Sequence, residues 1–195
     1  MTRRVPIAPT LVVLVAAGIM IALGFWQLAR KEQKEALLAR YARAATMSAD
    51  VRWPSAREDY PDVLYRHTRI DCREVESMSA IAGRSRDGRS GWAPVANCNL
   101  GGEQTAAVAL GWSDRPGIPK WSGGEVGGII APGGEGIRLI ASPAQAGLAE
   151  LAPPDPSDIP NNHLAYAVQW FLFAATALVI YALALRKKRA TASRA

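Results

Sequence analysis

In the stretch Asn161–Ala174, NNHLAYAVQWFLFA, the residues His163, Tyr166, Ala167 and Trp170 fall at i, i+3, i+4 and i+7, one face of a helix. Asn161 or Asn162 is suited to cap the N-terminus of that helix. The partial positive charge at a helix N-terminus opposes an imidazolium, which leaves His163 a free lone pair. A neutral imidazole beside flat apolar rings suits an iron or haem ligand. The same residue types also make the aromatic belt at a membrane–water interface, and spacing alone favours the belt. A second polar group, Gln27, sits in Gly24–Lys34, GFWQLARKEQK, beside Trp26. If each apolar segment of the chain crosses a membrane once, Trp26 and Gln27 come to about the depth of His163 and Tyr166. Gln27 could then bond across the helix pair or to a ligand, although spacing alone favours an ordinary interfacial polar residue.

Cys72 and Cys98 are the only cysteines, and with two histidines they cannot build a closed zinc site of the usual spacing. A disulfide, two unpaired thiols and copper or redox chemistry all remain open for them; the disulfide is the expectation if they lie outside the cytoplasm. Signs of catalysis are few. GRSRDG and DGRSGW miss the spacing of a serine nucleophile elbow, and no glycine loop with Lys and Ser/Thr could cradle phosphate. Acid pairs such as Glu58/Asp59 and Asp71/Glu74 read as solvated charge. Enzymatic work on a substrate is not expected.

Two apolar segments must position these residues. One runs from Val5 to about Leu28 and the other from Leu164 to Leu185, both without Asp, Glu, Lys or Arg. At about 1.5 Å per residue each can cross a hydrocarbon core of roughly 30 Å. The apolar run before Ala22-Leu23-Gly24 exceeds the ordinary length of a signal-peptide core, so the first segment is expected to stay as an anchor.

The formal net charge of +6 divides unevenly. Arg3, Arg4, Arg186, Lys187, Lys188, Arg189 and Arg194 flank the spans with no acid among them. Residues 30–163 carry sixteen basic and seventeen acidic side chains, one net negative charge. The basicity is a topological signal, and a nucleic-acid footprint is not expected. The run Arg186–Arg189 after the second span places that end in the cytoplasm; two crossings put the other terminus there too, and the central domain outside. Arg30, Lys31, Lys34, Arg40 and Arg43 argue the other way, but long translocated domains weaken the charge rule.

The expected organisation is a membrane α+β protein, with two transmembrane helices flanking one β-rich extracytoplasmic domain. Its parts are a span over 5–28, a helical extension over 30–46, a β-rich domain over 50–151, a Pro-rich linker over 152–163, a span over 164–185 and a basic tail over 186–195. Residues 30–46 are rich in helix formers, and Trp53-Pro54 and Tyr60-Pro61 end such a helix. Ser77–Gly83 and Trp92–Asn99 read as a hairpin turning at Asp87-Gly88. Ala106–Trp112, Val126–Ala131, Ile137–Ser142 and, more weakly, Val63–Ile70 are further strands, enough for a barrel-like domain.

GFWQLARKEQK resembles the opening pattern of the surfeit-locus-one family of cytochrome c oxidase assembly factors. NNHLAYAVQWFLFA resembles that family's second-span signature, and YRHTRIDC and IAGRSRDGRSGWAPVAN resemble its central strand-rich blocks. In AVALGWSDRP, Gly111-Trp112 follow Ala109-Leu110, where the family usually has asparagine and arginine. The resemblance implies a factor assisting haem a delivery to, or insertion into, the oxidase catalytic subunit, with haem a synthase as a further partner. It implies His163 as the iron ligand, with Trp26, Gln27, Tyr166 and Trp170 shaping the pocket. A bacterial inner membrane is expected on other grounds, since the first span starts at residue 5 with no acid-poor amphipathic presequence before it. The alternative is a membrane-anchored scaffold that stabilises an oxidase intermediate without binding haem.

Overall fold

The computed structural model describes residues 6–134 and 136–191. Arg3, Arg4, Val5 and Arg194 lie outside those residues, as do the side chains of Lys188 and Arg189. The described chain forms two compact units, one of residues 1–37 with 159–195 and one of residues 38–158.

The first unit is a helix pair. Helix α1 is Ile7–Ala45 and helix α3 is His163–Thr191. Their most apolar windows are only 11% and 6% buried, which sets them apart from core helices of a soluble protein. The contacts are antiparallel in register. At one end the Tyr181 hydroxyl donates to Thr10 Oγ1, whose own proton goes to the Pro6 carbonyl at 2.7 Å. Toward the other end Gly24 lies against Phe171: a Cβ on Gly24 would meet that ring at 2.5 Å. Phe25 packs edge-on to Phe171 at 5.4 Å between centroids. Ala17, Ala167 and Ala174 are the buried small residues of the pair. Small residues at such a seam let backbones approach where lipid supplies no hydrophobic drive.

The second unit is a six-stranded sheet: β1 His67–Cys72, β2 Glu74–Arg84, β3 Ser90–Gly101, β4 Gln104–Ala109, β5 Gly124–Gly133 and β6 Gly136–Ala141. Strand order is β1-β5-β6-β4-β3-β2, antiparallel except for the β4–β6 pair. The first two strands occupy opposite edges, yet Arg73 alone connects them. The sheet must therefore curl. The Arg73 N–H donates to the Asn99 carbonyl of β3 at 3.0 Å, and Cys72 of β1 is disulfide-bonded to Cys98 of β3, Cα atoms 5.2 Å apart. No ladder joins β1 to β2 or β3 among the described residues, so the result is a half-closed barrel.

Period-two burial follows from this curl. In β6 Ile137, Leu139 and Ala141 point inward, joining Ile70, Ala96, Val108, Val126 and Ile130 in the main core. Ala93, Val95, Ala109, Trp112 and Leu151 form a second cluster on the outer face. Strand β3, between β4 and β2, is thus buried on both sides from Ala93 to Ala96. Gly111 admits the segment covering that outer face, since a Cβ there would sit 2.6 Å from Leu148 Cβ and 2.8 Å from the Ala149 carbonyl oxygen.

The observed strands depart from the expected ranges most clearly around β1 and at the end of β4. The segment given to an early strand, Val63–Ile70, begins as a helical turn, α2 Tyr60–Val63, because Pro61 presets the helical φ at its start. Tyr65 then turns the chain at φ 64°, and β1 starts only at His67. Cys72 is consequently the last residue of β1. Strand β4 ends at Ala109, and Trp112 bonds instead to Ala149 through its N–H at 2.7 Å. Tyr65 is buried against Tyr41, ring centroids 5.1 Å apart. Burial pushes its phenol above the usual range, and Tyr41, Asp158 and Asp155 add to the effect.

Candidate functional site at the end of the helix pair

Asn162 occupies the N-cap position of α3, its carbonyl accepting from the Tyr166 N–H at 3.2 Å. Asn161 Oδ1 is buried and has no hydrogen-bond partner among the described residues. His163 is therefore the first helical residue, with no turn before it to fix its ring. The ring is fixed from the other helix. His163 Nδ1 lies 2.7 Å from Gln27 Oε1. An amide oxygen only accepts, so Nδ1–H is the donor and Nε2 keeps its lone pair. Nε2 has no hydrogen-bond partner among the described residues.

Ala167 is buried against the pair and Trp170 is half-buried, its ring edge-on to Phe173 at 6.1 Å. Tyr166 is 52% exposed, on the flank of this face. Trp26 does not join the cluster. It is 54% exposed, and it stands two residues, about 200° of helix, from the Gly24 contact. Matched depth along the two helices brought Gln27 to His163, but depth says nothing of direction around α1. The other histidine, His67, lies in β1 of the sheet domain.

A bare metal ion does not suit this donor set, because no group of three or more His, Cys, Asp or Glu residues gathers among the described residues. Haem suits it better: the macrocycle supplies four nitrogens and asks the protein for one or two axial ligands. One unengaged imidazole nitrogen, on the helix face that carries Trp170 two turns further on, meets that requirement in kind.

Long apolar helices on either side of a curled sheet domain define a membrane-anchored protein with one folded domain between its anchors. The model of the SURF1 family matches residues 14–175. The chain belongs to that family, which is generally linked to cytochrome c oxidase assembly. No curated protein matches it.

Proposed function

We propose that this protein assists haem a delivery or insertion during assembly of the haem–copper oxidase catalytic subunit, with His163 as the residue that would ligate its iron. The observation that carries the reading is His163 itself: a half-buried imidazole with Nδ1 engaged and Nε2 without a protein partner, at the start of a membrane helix. Haem a would supply the iron; the chain supplies one nitrogen, the rings of Tyr166 and Trp170 one and two turns further along the same helix, and an edge where a hydrophobic tail can stay in lipid. No bond-making on a substrate is assigned to the protein, so it acts as a carrier or chaperone. The catalytic subunit, and haem a synthase as haem donor, are the partners this role requires.

The setting proposed is a bacterial inner membrane, both termini cytoplasmic and the sheet domain periplasmic, on the strength of the basic run after Leu185. Reporter fusions near Gly134 should be active only outside the cytoplasm; cytoplasmic activity there overturns the topology.

The full chain, purified in detergent from cells making haem a, should carry a Soret band. His163→Ala should lose that band and lower oxidase haem content while remaining inserted and folded, and His67→Ala should keep it. A His163→Ala protein with full haem and an unchanged iron spectrum overturns the ligand assignment. Absence of haem from the wild-type protein, with oxidase intermediates still bound, establishes the scaffold instead.

A further inference from the structure

We infer that Gln27 is a positioning residue for His163: its side-chain carbonyl holds the ring in the Nδ1–H tautomer, so that Nε2 is the nitrogen presented to haem iron. The inference rests on the proposed role of His163 as a ligand. The bond spans 136 residues of sequence and joins α1 to α3. Gln27 is one helical turn beyond Gly24, whose contact with Phe171 fixes that part of α1 against α3. The acceptor is therefore held by a packed backbone, whereas His163, at the first position of its helix, depends on that acceptor for its orientation. Histidines that ligate metal ordinarily donate their other ring N–H to such an acceptor, which sets both tautomer and ring angle.

An amide differs from a carboxylate in this position. A carboxylate at a half-buried site on a membrane helix would carry a desolvation cost. It would also pull the Nδ1 proton toward itself and make Nε2 a stronger donor to iron. Gln27 orients the ring without that added donation. The bond to iron stays weaker, which fits a protein that must pass haem on.

Three variants of the full chain test this: Gln27→Leu, Gln27→Glu and His163→Ala, each purified in detergent from cells making haem a. Haem affinity and midpoint potential are measured, with helix content as the folding control. Gln27→Leu should bind haem about 10–100-fold more weakly at unchanged helix content. Gln27→Glu should retain haem and shift the midpoint potential downward. A loss in Gln27→Leu without a potential shift in Gln27→Glu reduces Gln27 to a helix-pair contact and overturns the inference. So does wild-type affinity and potential in both variants when His163→Ala has lost its haem.

A haem-free readout separates this inference from the ligand assignment. In protein labelled with ¹⁵N-histidine, the ring signal that disappears in His163→Ala should report protonation at Nδ1, and Gln27→Leu should abolish that preference. Protonation at Nε2 overturns the positioning role whatever the haem data show. If the tautomer holds but His163→Ala keeps its haem, the ligand assignment fails and the role of Gln27 toward iron fails with it, leaving only the hydrogen bond.

Discussion

In the sheet domain Ile130 and Leu139 have no exposed surface, while in the helix pair Leu11, Ile19, Leu172 and Ile180 are each more than half exposed. The residue types are the same and their physical tasks are opposite. In the domain they leave water for a packed interior, worth about 25 cal/mol for each Å² of apolar surface. On the helices they match the solvent, which is hydrocarbon, and gain nothing from one another. The pair is specified instead by a few small and polar residues: Ala17, Gly24, Ala167 and Ala174 at the seam, with Thr10–Tyr181 and Gln27–His163 as ties. The candidate chemistry lies among those few polar residues, where a lone imidazole is conspicuous.

The sharpest way to break this comparison is a pair of truncations. Leu139→Ala in the domain should cost about 2–5 kcal/mol in denaturant unfolding followed by tryptophan fluorescence. Leu172→Ala on the helix should change helix-pair stability by about 0.5 kcal/mol or less, as for substitutions that remove no buried contact. Equal losses at the two sites would show that the pair has a hydrophobic core of its own. Next in size, Cys72→Ser should destabilise the domain by about 2–4 kcal/mol, since the bridge closes a 26-residue separation. An unfolding midpoint indifferent to reductant would contradict this.

Thr10→Val should weaken the helix pair by about 0.6 kcal/mol, the average for an interhelical hydrogen bond in a membrane protein. Reversible unfolding in bicelles measures it, and a loss as large as that from a core leucine would erase the contrast. The smallest effect is at acid pH. The Ser157 N–H donates to Asp155 Oδ1 at 2.7 Å, and this bond, followed by the Ser157 hydroxyl, holds the carboxyl below its usual range. A lowered folded-state value contributes stability above the unfolded value of about 3.9, lost as pH falls through the folded one. Asp155→Asn should flatten the melting-temperature profile there, melting slightly below the wild type at neutral pH and converging with it in acid.

The hairpin of β2 and β3 was legible because its signal is local: alternating residues on either side of Asp87-Gly88, with Gly88 at φ 85°. Both long helices were legible from length and charge alone. The site was legible in part. Depth counting along two antiparallel helices brought Gln27 to His163, but the 3.6-residue period, applied to Trp26, would have turned that ring away. The start of β1 was not legible, since Tyr65 adopts a left-handed conformation that no residue type announced. Nor was the parallel pairing of β4 with β6, which follows from how the sheet curls and leaves no mark in either strand. The end of β4 was misread because apolar residues continue through Leu110 and Trp112, serving a different face.

Placing β1 and β2 on opposite edges has a consequence in time. His67 of β1 pairs with Ile129 of β5, so β1 has no neighbouring strand of its own until that later stretch has been made. Strands β2, β3 and β4 can pair as each emerges, β2 with β3 and β3 with β4. A chain delivered N-terminus first therefore passes through a stage in which a three-stranded meander exists and the strand preceding it waits with the backbone groups that will face β5 still unpaired. Cys98 precedes β5 in the sequence, so the one covalent tie on β1 becomes available before its partner strand does. Any factor that shields unpaired strands while the chain emerges has its natural moment there.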